Sequence, residues 1–166
     1  MLQNIRTINE KQGDFISVVG GTYRIVVSGK ESSGEFAIID MQISPGGGPP
    51  PHAHASFHES FYVVDGEVEF KSESGRFIAK KGDVINIPKG GAVHSFKNES
   101  KNMVHLLCTV VPAGLEEFFR ETGISVKPGE FLPVPPRKEN DLKNLKQIAE
   151  KYGQIIYPPD YLDKFA

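Results

Sequence analysis

The chain is predicted to be mainly β, a sandwich or closed barrel of short strands followed by short C-terminal helices. Three observations predict this. From residue 15 to residue 111, β-branched and aromatic runs are separated by Gly, Pro, Asn and Ser. Helical spacing is absent from that stretch and begins only after Pro112. Finally, 166 residues with 39% apolar and 24% charged side chains can bury one core of ordinary size and leave no room for a second full domain.

The strands are expected at 15–19, 22–28, 35–43, 57–64, 67–72, 76–79, 84–87, 93–97 and 103–111. Side chains two residues apart share a face of a strand, so Glu59, Phe61 and Val63 should face one way and His58, Ser60 and Tyr62 the other. By the same parity His94 and Phe96 should point inward, with Ser95 and Lys97 toward solvent. Glu67 and Glu69 alternate with Val68 and Phe70 and form a solvated face, and Lys80-Lys81-Gly82-Asp83 is a charged turn. Phe57, Phe61, Tyr62, Phe70 and Phe96 are read chiefly as core, with an aromatic pocket as the alternative.

Beyond the strands, Leu115, Phe118 and Phe119 stand at helical spacing before Gly123, which can close a helix in the left-handed conformation. After an extended connector over 131–136, Asn140 or Asp141 can cap a second helix. Leu142, Leu145, Ile148, Ala149 and Tyr152 form its apolar stripe, and Gly153 ends it. The organisation expected is a β-barrel over 1–114 and a helical extension over 115–166, packed on the barrel or on a partner subunit.

Several function classes are excluded. Lys plus Arg number 19 against 21 for Asp plus Glu, a net charge of -2, and no basic stretch could follow a phosphate backbone, so nucleic acid is not an expected partner. No apolar run approaches membrane-spanning length, and residues 1–14 lack the apolar segment of a signal peptide, so neither insertion nor export is expected. Cys108 is the only cysteine, which rules out an intramolecular disulfide and fits the cytoplasm; it reads as a buried strand residue, not a nucleophile. Asn98-Glu99-Ser100 matches a glycosylation acceptor by accident.

The chemistry lies in two clusters of ligand-type residues. His52, His54 and Glu59 follow the glycine and proline run 45–51, and His94 follows Gly90 and Gly91. In a strand His52 and His54 share a face, and Glu59 can reach the same centre from the next pass of chain. Three imidazoles and one carboxylate suit one divalent transition metal, whether Fe, Mn, Ni, Co, Cu or Zn, and leave coordination positions open. His58 and His105 are read as structural or surface residues.

Gly46-x5-His52-x-His54-x4-Glu59-x6-Gly66 resembles the first cupin motif at every defined position. Gly82-x5-Pro88-x-Gly90-x3-His94-x3-Asn98 resembles the second, with one residue more than usual before the histidine, which a bulge at Gly90 and Gly91 would absorb. Gly20-Gly21-Thr22-Tyr23, the loop 46–50 and the stretch 112–119 are similar to small bacterial quercetin-dioxygenase-like cupins. The resemblance implies a jelly-roll β-barrel with the metal inside, held by His52, His54, Glu59 and His94, and a homodimer paired through its sheets. In quercetinases of this group the glutamate ligand is also the base, which makes Glu59 the candidate catalytic residue. The expected activity is a metal-dependent dioxygenase for a small aromatic or enolisable substrate. A metal-dependent isomerase, epimerase or cyclase, or a non-catalytic small-molecule-binding cupin, are the alternatives.

Overall fold

Strands that alternate apolar and polar residues bury their apolar half only by pairing into sheets that face one another. This chain does so with two antiparallel sheets. The computed structural model describes residues 5–134 and 139–165, the side chains at 139–141 excepted. In chain order the elements are β1 (Asp14–Val18), β2 (Gly21–Val27), the one-turn helix α1 (Gly29–Ser32), β3 (Ala37–Ile43), β4 (His52–His54), β5 (His58–Asp65), β6 (Glu67–Ser72) and β7 (Gly75–Lys80). Then come β8 (Val84–Ile87), β9 (His94–Lys97), β10 (Val104–Val111), α2 (Leu115–Thr122), β11 (Ile124–Ser125), α3 (Glu139–Lys151) and β12 (Gln154–Ile156). One sheet has seven strands in the order β11-β1-β2-β3-β10-β5-β8, and the other has five, β12-β4-β9-β6-β7.

All nine expected strands are present, and β4, β11, β12 and α1 are additional. The expected closed barrel is not formed: among the described residues no ladder joins the two sheets, which face each other as a sandwich. Three of their four marginal strands are short, with two residues in β11, three in β12 and four in β8, while β7 has six. The core between them holds them together.

That core is set by the inward parity of the central strands. Ile39, Met41 and Ile43 of β3, Phe61 and Val63 of β5, and Val104, Leu106, Cys108 and Val110 of β10 are all buried. Phe61, Phe70 and Phe96 form an aromatic triad with centroids 5.4–5.6 Å apart. Tyr62, on the opposite parity, is 44% exposed, so it belongs neither to the core nor to a pocket.

The chain beyond residue 114 contributes a strand to each sheet. β11 pairs with β1, and β12 pairs with β4. Leu145 and Ile148 of α3, with Tyr152 in the turn that follows, pack against the main core, and α3 contacts α2 and β12. Gly123 departs from the expected left-handed closure, because its backbone is extended, with φ -93°. It is glycine for another reason: a Cβ there would come within 2.2 Å of Ile16 Cγ2 on β1. α3 already includes Glu139, so Asn140 and Asp141 lie within its first turn and not at the cap position expected of them, and the end of the 131–136 connector lies outside the described residues.

A second, smaller core cluster lies behind β4 and β9, where Leu162 packs with Ala53 and Val93 and is flanked by Tyr157, Tyr161 and Phe165. It covers the face that sequence parity assigned to solvent. Ser95, two residues beyond Val93, is accordingly buried.

Candidate metal centre

The two histidines of β4 are separated by Ala53, so both turn inward while the alanine faces the Leu162 cluster. β9 lies beside β4 in register His52↔His94, which brings the third imidazole alongside, 4.3 Å from His52 between ring centroids. Glu59 comes from the other sheet, on β5 between β10 and β8, where it pairs with Val110 and Ile87. All four ligand-type atoms lie within 4.8 Å of one another, and all four residues are buried. The sequence-predicted set is therefore brought together in space.

The extra residue ahead of His94 is taken up in the turn before β9, where Gly90 and Gly91 have φ of 119° and 83°. A Cβ at either position would touch nothing, so it is the backbone conformation that requires glycine.

Each imidazole is fixed by its other nitrogen. His52 Nδ1 donates to Pro50 O at 3.0 Å, His54 Nδ1 to Phe57 O at 3.1 Å and His94 Nδ1 to Ala92 O at 2.9 Å. Carbonyl oxygens only accept, so each Nδ1 carries the hydrogen, and a neutral ring then presents a bare Nε2 lone pair. Phe57 also stacks on His54, at 4.1 Å and 13°. His54 Nε2 lies 3.2 Å, and His94 Nε2 3.4 Å, from Glu59 Oε2. Acceptors that face acceptors at these distances repel unless a proton or a metal ion lies between them. His94 Nε2 is buried with no hydrogen-bond partner among the described residues. The donor set therefore fits a borderline divalent cation.

The electrostatics agree. Burial, reinforced by His94, pushes His52 down to a pKa of about 3, so it stays neutral and able to ligate. Burial would raise Glu59, but in the metal-free chain a proton on Nε2 of His54 or His94 outweighs it and holds the carboxyl below its usual range, as a cation in the same place would. Cys108, inward on β10, donates its S–H to Glu59 Oε1 at 3.5 Å. Burial and the nearby carboxylate raise that thiol well above its ordinary value, so it remains protonated. Burial likewise raises the Tyr23 phenol.

Above the cluster lies a cavity of about 700 Å³ that reaches His52 and Glu59. Phe61, Phe96, Phe118, Phe119, Leu145 and Ile148 supply much of its wall, so the two C-terminal helices help to build it. Sequence reasoning missed Cys108 as a partner of Glu59 and missed Gln154, which also lines the cavity. The inward parity of Cys108 could be read from the alternation of β10, but its partner strand could not. His58 is exposed. His105 bonds Asp40 on the neighbouring β3. Asn98 is fully buried and donates to Ile43 O and Asn102 O, which bars glycosylation in the folded chain.

Residues 39–110 match the Cupin domain family model. With the fold and the buried cluster of three histidines and one glutamate, this places the chain in the cupin superfamily. It is similar to quercetin 2,3-dioxygenase of Bacillus subtilis, 25% identical over 143 residues that cover 84% of this chain and 42% of that protein. It is also similar to a probable germin-like protein, subfamily 2 member 5, of Arabidopsis thaliana, 33% identical over 64% of this chain and 50% of that protein. The chain thus spans about half the length of these relatives or less. Among solved structures, ectoine synthase from P. lautus superposes with a TM-score of 0.58 at 18% identity, over 82% of this chain and 94% of that one, a likeness of fold. Among the described residues no helix is long and apolar enough to cross a membrane.

Proposed function

We propose that this cupin is a metal-dependent dioxygenase for a small aromatic or enolisable substrate. In this reading His52, His54, Glu59 and His94 hold one divalent transition metal and Glu59 is also the base. The observation that carries it is the character of the cavity. Its wall is mostly aromatic and aliphatic, it ends at His52 and Glu59, and among the described residues none that lines it is Lys or Arg. Beyond the reach of a bound cation, a phosphate or carboxylate would lie against apolar side chains and Glu121, with no Lys or Arg among the described lining residues to meet it. A neutral ring system bearing an enol hydroxyl meets no such penalty. The similarity to the Bacillus subtilis quercetin 2,3-dioxygenase supports the same substrate class.

When bound, the divalent ion supplies Lewis acidity toward an enol oxygen and, for redox-active metals, electron exchange with dioxygen. Glu59 accepts the hydroxyl proton on its carboxylate, while Cys108 donates to Oε1 and helps to hold the side chain in place. Phe61, Phe96, Phe118 and Phe119 orient the ring and exclude water from the reacting face. A homodimer belongs to the same proposal, supported by Tyr62 and Val84, register partners on β5 and β8 that are 44% and 66% exposed.

The test is metal analysis of untagged protein combined with an oxygen-electrode screen of flavonols and related enols. Oxygen uptake matched to flavonol loss is the expected result. Turnover without oxygen uptake would favour an isomerase, epimerase or cyclase. Tight binding without turnover would favour a non-catalytic binding cupin.

A further inference from the structure

Gln154 opens β12, which pairs with β4 in the register Gln154↔His54, Ile155↔Ala53 and Ile156↔His52. Register partners project to the same side of a sheet, so Gln154 and Ile156 point inward with the two histidines and Ile155 points out. Burial follows, at 3% exposure for Gln154 against 57% for Ile155. The amide borders the cavity, yet its Nε2 is buried with no hydrogen-bond partner among the described residues. Buried amide donors are nearly always met, and one left unmet is unfavourable enough to call for a specific reason. A glutamine that only held β12 in place would spend its amide on neighbouring backbone.

The reason lies in what shares the cavity. Its wall is largely apolar, and Gln154 belongs to the polar minority of the lining, with His52, Glu59, Glu121, Thr122 and Asn144 among the others. An N–H donor calls for an acceptor, and a largely apolar wall with no Lys or Arg among its described residues favours a neutral one. A carbonyl oxygen beside an enol hydroxyl meets both conditions, with the hydroxyl toward Glu59 and the carbonyl toward Gln154. Deprotonation of the enol spreads negative charge onto that carbonyl, so the same donor would bind the enolate more strongly than the neutral form. We infer that Gln154 is a substrate-binding residue whose amide N–H hydrogen-bonds the carbonyl oxygen of a flat, neutral keto-enol ring substrate. This rests on the substrate class proposed above.

The test compares quercetin with catechin, which has the same hydroxyl positions but lacks both the carbonyl and the adjoining ring double bond, as ligands of the metal-loaded protein under nitrogen; the readout is therefore the change that Gln154→Leu makes on each ligand, not the difference between the two. Affinities are read by optical titration for the wild type and Gln154→Leu. Gln154→Leu is expected to weaken quercetin about tenfold and catechin little. Metal content should not change, and the melting temperature of the ligand-free variant should equal or exceed that of the wild type, because an unmet donor has been removed. Equal losses on both ligands, an unchanged quercetin affinity, or a lowered melting temperature with loss of metal would overturn the assignment. Wild type that consumes oxygen with quercetin while Gln154→Leu binds it equally well sinks the role of Gln154 alone. Wild type that binds neither compound sinks the substrate class and the assignment together.

Discussion

Glu59 and His54 reach each other from opposite sheets, Oε2 to Nε2 at 3.2 Å, one carried by β5 and the other by β4. A cation between them would join two layers that share no ladder among the described residues. Metal loading is therefore expected to raise thermal stability as well as to fill the site. Free metal at a hundred times its Kd adds about 2.7 kcal/mol by mass action. His52→Ala should lose both the shift on loading and the bound ion, about one equivalent per chain in the wild type. Calorimetry with and without chelator, beside elemental analysis, checks this. Full occupancy in His52→Ala would show that the ion lies elsewhere.

The pH dependence of folding should carry the mark of Asp40, which sits outside the site. Burial would raise its carboxyl, but the hydrogen bond and charge of His105 and the Arg24 guanidinium together hold it below its ordinary 3.8. Arg24 Nη2 lies 2.7 Å from Asp40 Oδ2, and His105 Nε2 lies 2.5 Å from Oδ1. A depressed carboxylate contributes stability that is present above its unfolded value and lost as pH falls through its folded one. Stability should thus drop below about pH 4 partly through this group. Urea midpoints for Asp40→Asn should decline less steeply there than those of the wild type.

How much of this could be read in the sequence depends on the length of each pattern. β5 and β10 have eight residues each with strict alternation, so parity placed Glu59 inward and His58 outward without a structure. The four ligand-type residues were legible because their spacing is characteristic, although they meet only where β9 lies beside β4. β4, β11 and β12 have three, two and three residues, too few to show any period, so Gln154 carried no signal. Barrel closure was over-read, since strand count alone does not say whether marginal strands pair. Ser95 was placed in solvent because nothing local announced that the segment around Leu162 would cover that face.

That covering segment leads to a mechanical prediction. Leu162 is 2% exposed and packs on Ala53, between the two candidate ligand histidines of β4, and on Val93, beside the third, His94. Leu162→Ala should destabilise the fold by about 2–5 kcal/mol through lost burial and the cavity left behind. Because β4 and β9 would lose their backing, metal affinity should fall as well, although no ligand is touched. Chemical denaturation and a competitive chelator titration measure the two effects, and an unchanged affinity would mean that the cluster only adds stability.

Cys108 should behave as a buried hydrogen-bond donor. It is fully buried, and its thiol is pushed well above the ordinary range first by burial and then by Glu59. The reactive species is the thiolate, so a thiol reagent should label the native protein negligibly and label it fully once denatured. Cys108→Ala removes the S–H donor to Glu59 Oε1 and should lower stability by about 1 kcal/mol. Rapid labelling of the folded chain would contradict this environment.

The sharpest separation is between the neighbours His58 and Glu59, since composition alone would favour a fourth histidine as ligand. The backbone decides otherwise. On β5 the side chain of Glu59 is buried against the imidazoles of β4 and β9, while His58 is exposed on the opposite face, where no cluster of ligand-type residues receives it among the described residues. Glu59→Gln keeps shape and volume but removes the charge that opposes a cation and the oxygen that takes the proton. Metal affinity should weaken, and turnover of any enol substrate should fall further, since loss of a general base typically costs about 10²–10⁴ in rate. His58→Ala alters an exposed position and should change stability by no more than about 0.5 kcal/mol, with metal content and turnover retained. Elemental analysis and oxygen uptake on the two variants, side by side, make the comparison. If His58→Ala strips the metal while Glu59→Gln keeps both metal and turnover, the ligand set and the base assigned here are both wrong.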